Sequence, residues 1–277
     1  MRRPGSMEVL DVEEVRQESS DIWTIFVRVR NFEKWQDLVP GQFVMVWIPG
    51  VDEVPMSVSY LVDGAIGITV QNIGEATDAL CSLSKGDRIG IRGPYGNGFS
   101  LDDGVERVIG VSGGVGGAST ILPMEWAGKF GMETVNLVGS RNASLLLFKE
   151  RLEKRARFST DDGSFGYHGF VTDLLEEELE HLSPLDRDRT MIFTCGPEVM
   201  MASVARILSG YGVKGQFSLE RYMKCGIGVC DSCSMSGKRV CMDGPVFYLD
   251  DVLEMSEFGN THRDRSGRSV PLKESVK

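Results

Sequence analysis

The sequence predicts a multidomain protein with three successive parts: an N-terminal antiparallel β-barrel, an α/β domain with a parallel sheet, and a small C-terminal domain around four cysteines. Three observations support this fold class. Short β-rich runs separated by turn residues fill the first part of the chain, apolar strands then alternate with helical stretches, and the cysteines follow in one short segment. A chain of 277 residues is long enough for two or three domains. We expect the barrel and the α/β domain each to have its own core.

Residues 1–103 form the predicted barrel. Pro-Gly pairs at residues 40–41 and 49–50 mark turns in this part. Several short strands at close spacing are typical of a barrel. The strands are expected in four runs rich in β-branched and aromatic residues, IWTIFVRVR, GQFVMVWI, MSVSYLV and AIGITVQNI.

Residues 104–217 form the predicted α/β domain. Alternating apolar strands and helices of this kind indicate a parallel sheet. The expected strands are VERVIGVSG, TVNLVGS, RTMIFTCG and VKGQFSLE. The expected helices are STILPMEWAGKF, ASLLLFKERLEKRA, VTDLLEEELEHL and PEVMMASVARILSG.

A glycine-rich turn, SGGVGGAST, follows the first of these strands and precedes a helix. Glycines let the backbone approach a diphosphate, and a helix N-terminus favours its negative charge. The turn departs from the dinucleotide fingerprint G-x-G-x-x-G, because Ser119 occupies the third glycine position. A tight turn that simply needs small residues is the alternative interpretation. The candidate binding residues in this turn are its four glycines, Gly113, Gly114, Gly116 and Gly117.

A second turn, TCGPEVM, also lies between an apolar strand and a helix. Pro197 suits the first position of that helix. Ligands of α/β sheets bind at the carboxyl ends of the strands, so Cys195 is a candidate binding residue. A buried cysteine that only fills the core is the alternative.

The spacing of four cysteines is the most specific signal in the chain. The run CGIGVCDSCSMSGKRVC has the pattern C-x4-C-x2-C, followed by seven intervening residues and a fourth cysteine, which is plant-type [2Fe–2S] spacing. Gly226 and Gly228 permit the backbone conformations of a tight loop. A structural zinc site is the alternative, although the ligands of such sites usually come in two C-x2-C pairs. The candidate ligands, within residues 218–260, are Cys225, Cys230, Cys233 and Cys241.

Composition narrows the class of protein. The net charge of −10 disfavours nucleic acid as the main partner. No apolar stretch reaches the roughly 18 residues of a membrane span, and the N-terminal residues lack the apolar core of a signal peptide. We expect a cytoplasmic protein whose cysteines bind metal. The polar stretch 261–277 is expected to be a mobile tail.

In their order along the chain, these segments resemble ferredoxin-reductase-like flavoproteins with a fused [2Fe–2S] domain. More narrowly, they resemble the electron transfer subunits of NAD-linked dihydroorotate dehydrogenases. Each segment is modestly specific, whereas their order is far more specific. The resemblance covers about residues 8–258 and rests on PGQFVMVW, PMSVS, GEAT, GPYGNGF, SGGVGGA, GSR, DDGSFGYHG, TCGP and CGIGVCDSC…VCMDGPVF.

The resemblance implies three cofactors: FAD on the barrel, NAD(H) on the α/β domain and a [2Fe–2S] cluster on the cysteines. It implies that FAD is bound by Pro55, Met56, Ser57, Thr69, Val70, Gln71, Gly74, Ala76 and Thr77. It implies that NAD(H) is bound by Gly113, Gly114, Gly116, Gly117, Arg141, Cys195, Gly196 and Pro197, with Cys195 near the nicotinamide.

Two positions depart from the family pattern. Val54 and Gln71 stand where arginines usually counter phosphate charge, so backbone N–H groups would have to contribute more to FAD binding. Arg141 is the one obvious partner for a 2′-phosphate, since no further basic residue follows before Lys149. With the resemblance, this favours NAD over NADP.

The resemblance also implies a partner, an FMN-containing dihydroorotate dehydrogenase catalytic subunit. The two would form a heterotetramer that passes electrons to NAD in pyrimidine biosynthesis. Two alternatives remain open. One is the electron-transfer subunit of a sulfur reductase–hydrogenase or of an NADH:ferredoxin transhydrogenase, which share these motifs. The other is a nucleotide-binding module that is stabilised by zinc and transfers no electrons.

Overall fold

The computed structural model describes residues 6–62, 64–152, 155–264 and 267–272. Its N-terminal part is a closed barrel with the strand order β1-β2-β5-β4-β3-β6, and all neighbouring strands are antiparallel. The strands are β1 (Glu8–Ser19), β2 (Ile22–Arg28), β3 (Phe43–Ile48), β4 (Asp52–Val62), β5 (Ala65–Gln71) and β6 (Arg88–Tyr95). Two short helices, α1 (Glu33–Gln36) and α2 (Glu75–Cys81), lie in the connections.

The four predicted barrel strands correspond to β2, β3, β4 and β5. The sequence analysis missed β1 and β6, which pair with each other and close the barrel. Strand β1 is rich in charged residues, and only Leu10 and Val12 in it are buried. A strand with so little apolar surface carries a weak sequence signal.

The middle part of the chain supplies most of a second sheet. Its strands are β7 (Arg107–Gly113), β8 (Glu133–Ser140), β9 (Ala156–Thr160), β10 (Tyr167–His168), β11 (Thr190–Cys195) and β12 (Lys214–Ser218). Its helices are α3 (Gly117–Lys129), α4 (Lys149–Leu152), α5 (Val171–Glu180), α6 (Pro184–Asp188) and α7 (Glu198–Tyr211).

The single helix predicted over residues 143–156 is wrong. A short 3-10 turn covers Ala143–Leu145, α4 is one turn long, and β9 begins at Ala156. Between the turn and α4, the consecutive residues 146–148 are all buried. Three neighbouring residues cannot all lie on one face of a helix, so tertiary burial overrides helix propensity here.

The last part of the chain contains short elements around the cysteines. They are β13 (Ser234–Met235), β14 (Lys238–Arg239), α8 (Val240–Asp243), β15 (Val246–Tyr248), α9 (Leu249–Glu254), β16 (Thr261–Arg263) and β17 (Ser269–Pro271). Strands β16 and β17 pair as an antiparallel ribbon. This ribbon lies within the stretch expected to be a mobile tail. Residues 265–266 and 273–277 of that stretch lie outside the described residues.

The second sheet has seven strands in the order β10-β9-β8-β7-β11-β12-β15. Its first six strands are parallel, as predicted. Strand β15 comes from the cysteine segment and pairs antiparallel with β12. The predicted boundary at residue 218 is therefore not a break in the sheet.

The barrel has a core largely of its own, as expected, whereas the α/β domain shares a core with the barrel and the cysteine segment. One apolar cluster contains Met45 from the barrel, Ile109 and Phe217 from the sheet, and Cys233 and Cys241 from the cysteine segment. A second cluster fills the barrel itself. Among the described helices, none has the length and apolarity needed to cross a bilayer.

The shared core predicts that a change in β15 affects the stability of the sheet. Phe247 is 3% exposed and lies in the shared cluster, so Phe247→Ala should cost about 3–5 kcal/mol of unfolding free energy. The matched control is Leu253→Ala in α9, where the leucine is 53% exposed and the cost should stay within about 0.5 kcal/mol. Urea unfolding compares the two, and equal effects would contradict a shared core.

Candidate functional site

The two turns predicted to bind nucleotide lie side by side. Strands β7 and β11 are parallel neighbours, with Ser112 opposite Cys195 in register. A Cβ atom on Gly116 would overlap the carbonyl group of Cys195, and one on Gly113 would lie 2.7 Å from Met200 Sδ. Close approach of the two turns therefore requires glycine at these positions, whether or not a ligand is bound.

Gly114 differs from its neighbours. Its φ of +54° is in the left-handed region that favours glycine, and a Cβ there would meet nothing within 4 Å. The backbone is thus open in front of the turn, just before α3 begins at Gly117. An open backbone next to a helix N-terminus is a favourable position for a diphosphate.

A cluster of polar side chains joins the barrel to this edge of the sheet. Ser57 Oγ lies 2.8 Å from Ser119 Oγ, across the junction between β4 and α3. Cys195 is fully buried and its Sγ donates to Glu220 Oε1 at 4.0 Å. Burial, and then the Glu220 carboxylate, raise the pKa of Cys195 to about 12. The thiol is therefore neutral at physiological pH.

The sequence analysis did not identify Glu220 as a site residue. The residue is exposed, but desolvation by the protein atoms around its carboxyl group raises its pKa, while the charge of Arg221 lowers it. Arg221 is itself bound to Glu198, with Nη2 donating to Oε1 at 3.0 Å. A usable signal was present in the sequence, because Glu220 comes two residues after β12, at the carboxyl edge where ligands bind.

Several predicted FAD residues have side chains that are buried or partly buried. Val70 and Ala76 have buried side chains that belong to the barrel core. The Thr69 hydroxyl is buried and lies 2.8 Å from the hydroxyl of Thr24 and 2.6 Å from that of Ser59. Pro55 and Met56 are partly buried in β4.

The predicted diphosphate turn lies at the start of α2. Thr77 Oγ1 accepts the N–H of Gly74 at 2.9 Å and that of Ile73 at 3.0 Å. Gly74 is exposed, and a Cβ there would meet nothing within 4 Å. The Thr77 hydroxyl thus stabilises the helix start and binds the N–H of Gly74, while no side chain covers this turn.

The two departures from the family pattern have local partners. Val54 packs against the barrel core. Gln71 Nε2 donates to Asp21 Oδ2 at 2.8 Å. An acidic rather than a basic group therefore lies beside position 71, so this position supplies no positive charge to a phosphate.

Arg141 follows β8 and lies at the same edge of the sheet as the two turns. Burial and then Asp162 raise the pKa of Asp161, while the charge of Arg141 lowers it. The acidic pair was not identified from the sequence as part of the site. In nucleotide-binding α/β folds, an acidic group at the adenosine ribose favours NAD over NADP.

The cysteine loop has the conformation that the sequence predicted. Gly226 and Gly228 have φ values of 68° and 76°. Backbone N–H groups are directed at sulfur: Gly228 N lies 3.2 Å from Cys241 Sγ, and Val229 N lies 3.4 Å from Cys225 Sγ. Such hydrogen bonds stabilise thiolate charge and tune the potential of a cluster.

The N–H groups shift the ionisation of one thiol in particular. Burial favours the neutral form of Cys225, but backbone hydrogen bonds from Ile227, Val229 and Cys230 outweigh it and lower the pKa to about 6. The thiolate form is the one that binds metal. Cys241 shifts in the opposite direction, because burial and then the neighbouring Cys233 thiol raise its pKa to about 12, so the loop favours the thiolate form at Cys225 but not at Cys241.

The four cysteines differ in exposure. Cys233 and Cys241 are buried in the shared core, Cys225 is half-buried and Cys230 is exposed. Within the part of the chain that the structure describes, no three His, Cys, Asp or Glu side chains are arranged to hold one metal ion. Four thiols in one loop with N–H donors directed at their sulfurs fit an iron–sulfur cluster.

Fold and site together define a ferredoxin-reductase-like oxidoreductase component. Two solved structures share this architecture. A structure described as an NADH-dependent reduced ferredoxin–NADP oxidoreductase, a flavin-based electron-bifurcating enzyme, is 25% identical with a TM-score of 0.78 over 91% of each chain. Phthalate dioxygenase reductase is 16% identical, with a TM-score of 0.62 over 96% of this chain and 76% of the reductase chain, and so shows the fold alone.

Sequence relatives define the family. Residues 220–253 match the family described as the iron–sulfur cluster binding domain of dihydroorotate dehydrogenase B. The probable dihydroorotate dehydrogenase B (NAD(+)) electron transfer subunit of Methanocaldococcus jannaschii is 41% identical, over 94% of this chain and 96% of the relative. That of Methanocella arvoryzae is 46% identical, over 93% and 96%. The chain belongs to the family of dihydroorotate dehydrogenase B electron transfer subunits.

This family membership confirms the predicted class, an oxidoreductase component that transfers electrons. The match of residues 220–253 also favours an iron–sulfur cluster over zinc. The roles of individual site residues remain predictions.

The contact between the two turns predicts the effect of Gly116→Ala. Its new Cβ would overlap the backbone at Cys195, so the turns must separate at a cost of about 1–3 kcal/mol, and NADH binding should weaken with them. The control is Gly210→Ala in α7, where nothing lies within 4 Å of a Cβ. Thermal unfolding and NADH titration measure both variants. Gly116→Ala with control-like stability would show that the turns are not in close contact.

Proposed function

We propose that this chain passes electrons between NAD(H) and an FMN-containing dihydroorotate dehydrogenase catalytic subunit, through FAD and a [2Fe–2S] cluster. The observation that most directly supports this proposal is the shared core, which joins the barrel, the nucleotide-type sheet and the cysteine loop. A relay needs its carriers at short, fixed separations, and a close-packed core resists deformation. The names of the family's relatives support the same role.

The junction between barrel and sheet is the proposed site of exchange between NAD(H) and FAD. Ser57 and Ser119 hold the barrel against α3. By the resemblance, Cys195 lies near the nicotinamide. Its buried thiol is neutral, so it adds no charge beside the position where hydride is transferred. Bound FAD supplies the conversion between hydride transfer and single-electron transfer, and the cluster carries single electrons.

The remaining contacts to FAD and NAD(H) are proposed from the positions of residues that match the family pattern. For FAD, they come from the backbone of β4, β5 and the start of α2. For NAD(H), they come from the two glycine-containing turns, with Arg141 and the Asp161–Asp162 pair near the adenosine. The acidic pair favours NAD over NADP. A cytoplasmic location is part of the proposal.

The four cysteines are the proposed cluster ligands. Cys233 and Cys241 anchor the cluster to the core, while Cys225 and Cys230 lie toward the surface. Val229, next to Cys230, is 75% exposed. This exposed side of the loop is where a partner would take or deliver an electron.

A second candidate is favoured by one structural neighbour. The 25% identity and TM-score of 0.78 to the NADH-dependent reduced ferredoxin–NADP oxidoreductase support a related role with ferredoxin as the partner.

The cluster proposal predicts the metal content. Anaerobically purified protein should contain about two irons and two labile sulfides per chain. Cys230→Ser should remove or strongly alter the cluster and leave the fold intact, because Cys230 is exposed. Cys81→Ser is the control, since Cys81 lies in the barrel part of the chain and should leave the iron content unchanged. One zinc per chain and no iron would establish the zinc alternative.

The relay proposal predicts a division of activities. With NADH, the chain alone should reduce ferricyanide but neither oxidise dihydroorotate nor reduce orotate. Adding the FMN subunit should create NAD-dependent dihydroorotate oxidation. Cys225→Ser should spare most NADH-to-dye transfer and abolish this coupling, because the loop with the cluster lies between FAD and the partner in the relay.

Two results would contradict this scheme in different ways. Normal coupling by the cluster-free variant would make the cluster structural and the relay wrong. Coupling to ferredoxin, but not to the FMN subunit, would keep the relay and favour the second candidate function.

A further inference from the structure

We propose that Arg92 is a positioning residue that fixes the cysteine loop on the barrel and raises the reduction potential of the cluster, with Glu53 as its counter-charge. The inference rests on the proposed cluster at the cysteine loop. It adds a residue that lies outside the cysteine motif and in a different part of the chain.

Arg92 lies in β6 of the barrel and is 8% exposed. Arginine is seldom buried unless it is paired, and here Glu53 of β4 is the partner. Arg92 Nε donates to Glu53 Oε1 at 2.5 Å and Nη2 donates to Oε2 at 2.8 Å. This bidentate pair fixes the plane of the guanidinium.

The other end of the guanidinium reaches the cysteine loop. Arg92 Nη1 donates to the carbonyl oxygen of Cys225 at 2.6 Å, and Nη2 lies 3.4 Å from that of Lys224. These bonds connect residues 133 and 132 positions apart in the sequence. Arg92 therefore connects the barrel directly to the main chain of a proposed cluster ligand.

The next residue of the loop also contacts the barrel. A Cβ on Gly226 would lie 2.9 Å from Met45 Cγ of β3, so the loop packs tightly on this strand. The Arg92 guanidinium additionally lies 5.5 Å from the ring centroid of Tyr95. The start of the loop is thus fixed to two barrel strands, which sets the separation between the barrel and the cluster.

The charges are arranged asymmetrically about the loop. Nη1, which binds the Cys225 carbonyl, is the guanidinium nitrogen that makes no bond to Glu53. The positive charge therefore lies between the loop and the carboxylate. Reduction adds one negative charge to the cluster, and nearby charges and hydrogen bonds set the potentials of such centres. Arg92 should favour the reduced state and Glu53 should oppose it.

This arrangement predicts potential shifts of opposite sign. Arg92→Gln should lower the cluster potential, with about a tenfold change in the reduction equilibrium, or about 59 mV for one electron. Glu53→Gln should raise it, because the positive charge loses its counter-charge. Arg92→Lys keeps the charge but loses the planar fork, so its potential should fall less than that of Arg92→Gln.

The experiment is a redox titration of the full chain, followed by the electron paramagnetic resonance of the reduced cluster. Arg88→Gln is the control, because Arg88 lies on the same strand with a 69% exposed side chain and pairs with Asp11. Its potential should match that of the unsubstituted protein. Iron content and thermal unfolding are measured on every variant.

Shifts of the cluster potential in opposite directions for Arg92→Gln and Glu53→Gln would support the proposal. Loss of a purely structural contact would not move the two potentials in opposite directions. Shifts of the same sign, or shifts no larger than that of the Arg88 control, would overturn it. If Arg92→Gln fails to retain iron, Arg92→Lys and Glu53→Gln are compared instead. A lower potential for Arg92→Lys and a higher one for Glu53→Gln would then support the proposal, and any other result would overturn it. Absence of iron from the unsubstituted chain would overturn the cluster itself, whereas iron with unshifted potentials would overturn only the role of Arg92.

Discussion

The architecture depends on one apolar core in which all three parts of the chain meet. Met45 of the barrel, Phe217 of the sheet and Cys241 of the loop belong to the same buried cluster, and β15 joins the cysteine segment to the sheet. Close-packed interiors deform little. The positions of the flavin-type barrel, the nucleotide-type edge and the cysteine loop are therefore fixed relative to one another, as electron transfer between bound carriers requires.

Polar contacts also fix how the barrel packs against the rest of the chain. The hydroxyls of Ser57 and Ser119 meet across the barrel and α3. Arg151 of α4 donates to the carbonyl of Ser59 at 3.0 Å and lies 3.9 Å from the ring centroid of Tyr60. Arg151 and Arg92 thus make charge-assisted hydrogen bonds from the barrel junctions to backbone carbonyls, and these pairings satisfy polar groups that would be costly to leave unpaired once buried.

The site combines features that serve packing with features that serve ligands. Gly116 is needed because two turns touch, whereas Gly114 leaves open backbone in front of a helix start. Likewise, Cys233 and Cys241 are core residues as well as proposed ligands, while Cys230 is exposed. A glycine or cysteine motif by itself does not separate these roles, because the same small residues suit tight packing and close ligand approach.

The sequence by itself determined the barrel and α/β classes, the four-cysteine loop and the family, because periodicity, turn residues and ligand spacing are local properties. Tertiary structure decided the rest. Burial of residues 146–148 interrupted a predicted helix, and β15 joined a sheet that begins over a hundred residues earlier. The contacts of Glu220 with Cys195 and of Arg92 with Cys225 join residues distant in the chain. Such pairs leave no periodic signal, since only the packed fold brings them together.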